Sequence, residues 1–236
     1  MKKKKFSAEI AYVLATMILA FGTAMMTKAN FGVSMVVAPA YLLHLKLSQY
    51  WSFITFGVAE YMLQAFLLIV LCIVMKKFKV SYLFSFFTAV FYGLSLDLSL
   101  WTLSFIPCEK IAVRIVLFVI GLPLVSLGVS LFFHTYIPPE AYELFVKEIS
   151  AKTHKDINKF KTGYDCVSCV ISIIMSFCFF GLFKFEGVNV GTVICALING
   201  KIIGMISKFL EKKFEFKDSL PLRKLFQKNE QLEGTK

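Results

Sequence analysis

The sequence contains few residues of the kinds that build catalytic or metal centres. Three histidines occur among 236 residues, and none lies in an H-E-x-x-H pattern or beside a plausible nucleophile. A glycine-rich phosphate loop is absent, and no Cys/His spacing matches a zinc site. Five of the six cysteines lie in apolar stretches, and the Cys166-x-x-Cys169 spacing has no βαβ pattern around it. We therefore predict that the chain is not an enzyme and holds no cofactor or metal.

Long apolar stretches, by contrast, are abundant. Apolar residues make up 58% of the chain, against about 45–50% in soluble domains, and the mean hydropathy is +0.72. About 20 apolar residues span a bilayer, and no cleavage site follows the first run. The predicted fold class is therefore an all-α polytopic membrane protein in contact with the lipid bilayer. Its six predicted transmembrane helices are Ala8–Thr27, Trp51–Met75, Val80–Phe105, Ile111–Phe133, Gly163–Phe183 and Val188–Ser207.

Acidic residues are in the minority, with 15 Asp and Glu against 26 Lys and Arg. The basic residues concentrate at Lys2–Lys5, in the loop after helix two, in the loop after helix four that includes Lys161, and from Lys208 onward. The positive-inside rule predicts a cell-membrane protein with both termini in the cytoplasm, and it explains the charge without nucleic acid. Residues 208–236 are predicted to form a basic tail on the inner leaflet, with docking of a protein partner as the alternative.

The two halves of the sequence resemble each other at offsets of 105 to 107 residues. Since each half has three membrane helices, the second copy must enter the membrane upside down. We predict a single transmembrane domain over residues 1–207, with inverted repeats at 8–105 and 111–207, a construction found in secondary transporters. The matched elements are Phe21–Ser34 with Leu127–Glu140, Glu60 with Asp165, and Ala89–Gly93 with Ala196–Gly200.

Two shorter segments are predicted to form helices that do not span. Residues 34–47 are apolar and contain Pro39, which indicates an interfacial or re-entrant helix. Residues 138–152 carry an apolar stripe at helical spacing and are predicted to form a cytoplasmic amphipathic helix. Pro139 suits the first turn of this helix, and Glu140 suits the positive end of its dipole. Ser34 and Glu140 would then mark the starts of short helices at opposite faces.

Glu60 is the most informative polar residue within a predicted span. A carboxylate at the centre of a membrane helix costs roughly 2.5–3.5 kcal/mol, so it should face protein or water. Glu60 lies about nine residues into predicted helix two, which corresponds to a depth of about 14 Å. We predict that Glu60 is a proton- or cation-responsive group, with Gln64 on the same face. A structural Glu60, protonated or hydrogen-bonded between helices, is the alternative.

Other polar residues predict ion pairs and an internal path. Asp97 and Arg114 lie near the outer ends of helices three and four and are expected to pair, as are Asp165 and Lys201 in helices five and six. Two polar seams follow helix faces. They are Ser81, Ser85, Thr88, Tyr92, Ser95 and Ser99 on helix three, and Asp165, Ser168, Ser172 and Ser176 on helix five. Each seam could serve helix–helix hydrogen bonding. Together with Glu60 they favour a polar path, which Gln64, Asp165, Ser34, Glu140 and Thr192 are predicted to line.

The order of several of these elements resembles the YczE/YyaS/YitT family of bacterial multi-pass membrane proteins. The resemblance rests on Tyr136–Glu140, Asp165 and Gly191-Thr192 before Gly200, together with Ala29–Ser34, and it covers most of residues 10–210. It implies a bacterial inner-membrane protein with transport as the usual suggestion. Asn189-Val190 stands where an Arg-Glu pair is expected, so a ligand bound by that pair in relatives would differ here.

These observations predict a transporter of a small solute or ion that rocks one repeat against the other. The alternative is a non-transporting scaffold or an accessory, substrate-binding subunit of a larger membrane complex. Ala11 and Ala15 would then offer a small-residue docking face on helix one. Such a subunit should co-purify with an ATPase module, whereas a standalone transporter should not. The sequence leaves the substrate, the coupling ion and the direction of transport open.

Overall fold

The computed structural model describes residues 3–181 and 187–220, which are predominantly helical. Six of the described helices are long and apolar enough to cross a membrane. The predicted all-α polytopic fold is therefore confirmed, and the chain is an integral membrane protein. The elements are β1 (Lys4–Ser7), α1 (Ala8–Ala29), α2 (Ala38–Leu47), α3 (Phe56–Met75), α4 (Val80–Ser104), α5 (Ile111–Phe133), α6 (Ala141–Thr153), α7 (Ile157–Phe180), α8 (Val190–Lys213) and β2 (Phe214–Lys217).

Helix α3 begins at Phe56 rather than at the predicted Trp51. Thr55 caps it, because its side-chain Oγ1 accepts a hydrogen bond of 3.1 Å from the Val58 N–H. Glu60 is consequently the fifth residue of the helix and lies about 6 Å from its start, not about 14 Å. Gln64, one turn further on, lies close to the helix centre.

Helix α7 begins at Ile157 instead of Gly163. The Asp156 side chain accepts a hydrogen bond of 3.0 Å from the Lys159 N–H and so stabilises the first turn. As a result Lys161, predicted above in a loop, lies inside the helix and is buried. The predicted end at Phe183 lies outside the described residues.

Residues 214–220 of the predicted basic tail pack against residues 4–9. Helix α8 continues to Lys213, and β2 then pairs in parallel with β1. Beyond the strand, the Glu9 carboxylate accepts hydrogen bonds from the Ser219 and Leu220 N–H groups. Residues 4–9 and 214–220 therefore lie together at the end of the bundle where α4 begins. The rest of the predicted tail, residues 221–236, lies outside the described ranges.

Helices α1 and α5 form the centre of the bundle and cross at small residues. A side chain at Gly22 would meet the backbone of α5, and one at Gly128 would meet the Ala15 carbonyl. Ala11 and Ala15 are fully buried by the chain itself. The predicted docking face on helix one is therefore wrong, because α5 and its neighbours cover it.

The remaining helices pack in matched pairs around this centre. Helix α4 packs on α1 and α3, while α8 packs on α5 and α7. Helix α2 packs on α3 and α7, while α6 packs on α7 and α3. Exchanging α1–α4 with α5–α8 thus maps each of these contacts onto another.

Both short helices begin inside the bundle, each after a non-helical segment that runs inward. The backbone carbonyls of these non-helical segments need hydrogen-bond donors from the protein, because lipid supplies none. Hydroxyl groups of the long helices supply these partners, and three of them (Ser85, Thr88 and Ser168) belong to the two polar seams. The bonds run from Ser85 to the Pro139 carbonyl (2.6 Å), from Thr88 to Pro138 (3.0 Å), from Ser168 to Met35 (2.9 Å) and from Thr192 to Val33 (2.9 Å).

The prediction that residues 138–152 form a surface amphipathic helix is therefore wrong for the first half of α6. Ala141, Tyr142, Glu143 and Leu144 are all buried, so no polar face remains at this end. The Gln64 side chain accepts the Ala141 N–H at 3.0 Å and so satisfies a donor of the first helical turn. Only the later turns of α6, which contain Lys147 and Lys152, reach the surface.

Candidate functional site: a buried acidic cluster

Four carboxylates and one ammonium group are buried together where α3, α6 and α7 meet. Their relative exposures lie between 0% and 3%, so none has free access to solvent. Charged side chains are almost never fully buried unless they are paired. We call the five residues the acidic cluster: Glu60, Glu140, Glu143, Asp165 and Lys161.

Gln64 and Tyr142 connect the carboxylates on the α3 side. The Gln64 Nε2 group donates to Glu140 Oε2 at 3.0 Å and lies 3.5 Å from Glu60 Oε2. The Tyr142 hydroxyl donates to the same Glu60 oxygen at 2.9 Å. Because Gln64 also accepts the Ala141 N–H, its amide fixes the start of α6 and both carboxylates at once.

Lys161 connects the carboxylates on the α7 side. Its Nζ lies 3.2 Å from Asp165 Oδ1, one helical turn away, and 3.3 Å from Glu143 Oε1 on α6. The ring of Tyr164 lies beside the ammonium, 5.6 Å from Nζ to the centroid. Lys161 thus ties α6 to α7, as Gln64 ties α6 to α3.

The cluster has more acceptor oxygens and more negative charge than its partners satisfy. Buried oxygens without a hydrogen-bond partner occur on all four carboxylates. With every group ionised, the cluster would carry three uncompensated negative charges, and burying each costs several kcal/mol. Burial, followed by the carboxylates of Glu143 and Glu60, holds the pKa of Glu140 well above its usual range. The arrangement therefore requires protons or a further cation.

A narrow cavity opens beside the cluster. About 20 Å³ of it is open to the centres of water molecules, which is room for about one water. Polar groups from both halves of the chain line it together with apolar side chains of α1 and α5. Among the described residues, no three His, Cys, Asp or Glu side chains converge in a metal-binding arrangement. The polar lining residues include Ser34, Thr23, Glu140, Glu143, Lys161 and Asn199.

The structure brings together most, but not all, of the predicted path residues. Gln64 contacts both Glu60 and Glu140, and Asp165 pairs with Lys161, whose other partner is Glu143 on α6. Ser34 lines the same cavity as Glu140. Thr192 does not reach the cluster; its hydroxyl binds the Val33 carbonyl and supports the segment before α2.

The predicted pairing of Asp97 with Arg114 is wrong. Asp97 accepts hydrogen bonds from the Thr55 hydroxyl (2.6 Å) and the Gly57 N–H (2.9 Å), at the start of α3. Arg114 donates to the carbonyls of Ala29 and Asn30, at the end of α1. Each charge complements the dipole of a helix end, which offers more hydrogen bonds than a single ion pair.

The predicted pairing of Asp165 with Lys201 is also wrong. Asp165 pairs with Lys161 on its own helix, because residues four apart on a helix lie on one face. Lys201 is exposed on α8.

Three residues of the site were not predicted: Tyr142, Glu143 and Lys161. The segment containing them is rich in charge, so it was interpreted as a cytoplasmic surface region. Two local signals were present. Lys161 and Asp165 are spaced i, i+4, and Glu140 and Glu143 are spaced i, i+3, so each pair shares a helix face.

Comparison with protein families gives a match over most of the chain. The model of a family of unknown function, DUF6198, matches residues 6–208. No curated protein and no solved structure matches the chain. The resemblance to the YczE/YyaS/YitT family stays a prediction.

Proposed function

The chain belongs to DUF6198, a family of unknown function, and we propose that it transports a small solute or ion across the cell membrane. The observation that carries the proposal is the buried excess of carboxylates at a cavity between two short helices. A scaffold has no need for four buried carboxylates opposite one lysine, since apolar residues would pack there at lower cost. A transporter can use them to bind and release protons or cations.

The proposal includes two inverted repeats, residues 8–105 and 111–207, with both termini in the cytoplasm. The matched helix packing supports this arrangement. So does one pair of hydrogen bonds that cross between the halves: Ser85 of the first half binds the Pro139 carbonyl of the second, and Thr192 of the second half binds the Val33 carbonyl of the first. Donor and acceptor positions are each displaced by about 106 residues, within the range of the repeat offsets. Alternating access would follow from rocking one repeat against the other.

In this mechanism the acidic cluster senses protons or cations. Glu60 is the responsive group, and Gln64 and Asp165 line the path. A proton or cation entering the cavity would satisfy the unpartnered oxygens of Glu140 and Glu143 and relieve their repulsion. Losing it would restore the repulsion and loosen α6 from α3. The occupancy of the cluster would thereby bias the position of the short helices.

The test compares three proteins in proteoliposomes loaded with a pH-sensitive dye: wild type, Glu60→Gln and Glu148→Gln. Sodium, potassium, amino acids and amines are added outside between pH 5.5 and 8.5. We expect at least one of them to drive pH-dependent proton movement in wild type, and Glu60→Gln to lose the pH dependence. Glu148 is the matched control, because it lies on α6 but pairs with Lys79 outside the cluster.

Two results would count against the proposal. Identical pH profiles for wild type and Glu60→Gln would remove Glu60 from the mechanism. Absence of any solute-driven signal from correctly folded wild type across the whole panel would favour a scaffold or accessory role.

A further inference from the structure

A second charged site lies on the outside of the bundle, in a groove between α7 and α8. The groove has a volume of about 550 Å³ and is open to the surroundings. Three lysines line it: Lys159 from the start of α7, and Lys201 and Lys208 from α8. All three are exposed, and none lies within 4.0 Å of a carboxylate of the described residues. The groove is thus a concentration of positive charge without a protein counter-ion in the described part of the chain.

Lys201 makes this arrangement unusual. It is the twelfth residue of α8 and lies within the membrane span Gly191–Lys213, about 10 Å along the helix from Lys208. An exposed ammonium at this depth is costly in hydrocarbon unless it meets an anion or reaches the interface. Because the described residues supply no carboxylate, an anion that meets Lys201 would come from the surroundings.

The floor of the groove suits an acyl chain. Gly200 and Gly204 lie one turn apart on α8, and Met205 borders them. Gly200 is buried and Gly204 is half-buried, and neither carries a side chain that would fill the floor of the groove. A phosphate group at the lysines and an apolar chain along the glycines are parts of one phospholipid molecule.

We propose that this groove binds the headgroup of an anionic phospholipid, with its phosphate at Lys159, Lys201 and Lys208 and an acyl chain across Gly200 and Gly204. Basic pockets between membrane helices on the cytoplasmic side are a recognised mode of lipid binding. The groove lies at the end of the bundle that also holds β1 and β2, the end to which the basic loops assign the cytoplasm. The site is separate from the acidic cluster and does not depend on the transport proposal.

The experiment measures lipid bound to the full chain by native mass spectrometry from zwitterionic micelles, titrated with phosphatidylglycerol or phosphatidylcholine. We expect wild type to prefer phosphatidylglycerol. Replacing Lys159, Lys201 and Lys208 together by Gln should weaken its binding on the order of 100-fold, since each lysine contributes about fivefold. The matched control replaces Lys77, Lys147 and Lys155 by Gln, which removes equal charge from exposed positions outside the groove. The control should retain the affinity.

A second variant separates a lipid from a soluble anion. Gly204→Leu fills the floor without changing charge, so it should weaken phosphatidylglycerol binding while leaving binding of inorganic phosphate unchanged. If the triple variant misfolds, Lys201→Gln alone is measured, with about fivefold weakening expected.

Four outcomes would overturn the proposal. They are equal affinity for the two lipids, equal losses in the groove and control variants, full competition by millimolar inorganic phosphate, and conversion of a wild-type dimer to a monomer by the groove substitutions. The last two would assign the groove to a soluble anion or to a second copy of the chain.

Discussion

Lys161→Met removes the one buried cation from the acidic cluster while keeping most of the side-chain volume. Lys161 is 1% exposed, and its Nζ lies 3.2 Å from Asp165 and 3.3 Å from Glu143. At an effective dielectric constant of about 20, each contact is worth about 5 kcal/mol of Coulomb attraction. Desolvation of the ammonium offsets much of this gain.

The net change in stability depends on the two carboxylates that remain after the substitution. Glu143 and Asp165 would be left buried without their counter-ion, and breaking a buried pair in this way costs about 3–5 kcal/mol. We therefore expect Lys161→Met to lower the free energy of unfolding by about 3–5 kcal/mol at pH 8. The loss should shrink at pH 5.5, where the orphaned carboxylates can take up protons instead.

Thermal unfolding in detergent micelles measures this loss, with two comparisons. Adding Asp165→Asn to Lys161→Met should restore part of the stability, because the double variant no longer buries that unpaired charge. Lys79→Met is the matched control, since Lys79 pairs with Glu148 at 2.7 Å but both side chains are partly exposed. Its loss should stay below about 1 kcal/mol.

The reasoning would be refuted by equal losses for Lys161→Met and Lys79→Met. It would also be refuted if the effects of Lys161→Met and Asp165→Asn simply added, because contacting charges must couple. A loss independent of pH would show that no carboxylate of the cluster takes up the missing charge.

Three further predictions concern pH, packing and topology. Since the folded-state pKa of Glu140 is raised, the free energy of unfolding of wild type should fall as the pH rises above about 4.5, by up to about 1.4 kcal/mol per pH unit. Unfolding measured across this pH range should show a smaller dependence of stability on pH for Glu140→Gln. Gly22→Ala places a Cβ against the α5 backbone and should destabilise the protein by about 1–3 kcal/mol in the same assay. Gly163→Ala meets open space and should stabilise it by about 0.5–1 kcal/mol, and equal effects would contradict the close crossing of α1 and α5. With the other cysteines replaced by serine, an impermeant thiol reagent should label Cys108 from outside and Lys155→Cys only from inside; outside labelling at 155 would contradict the proposed orientation.

The membrane fold was predictable because bilayer thickness imposes a length on every span. Apolar runs of the required length identified all six helices, and the ends shifted where side chains cap the backbone. Thr55 starts α3 later than the apolar run suggests, and Asp156 starts α7 earlier. Such caps depend on short-range geometry that composition does not encode.

The site was predictable only where a polar residue stood out from an apolar background. Glu60 and Gln64 were identified on this basis, because burying a polar side chain in a membrane span is costly unless the side chain has polar partners or a function. Glu143 and Lys161 were not, since a charged residue in a charged segment carries no such signal. Their burial depends on α6 folding back between α3 and α7.

The sequence by itself determined that this protein folds in a lipid bilayer, how many helices span it and that a carboxylate lies within the spans. The free energy of transfer from water to lipid depends on each residue and its near neighbours, so it can be evaluated along the chain. Only the tertiary structure decided which charges meet. Arg114 and Asp97 bind helix ends instead of each other, and Lys161 pairs with Asp165 and Glu143. Electrostatic and hydrogen-bond energies depend on distances between groups remote in sequence, and those distances exist only once the helices have packed.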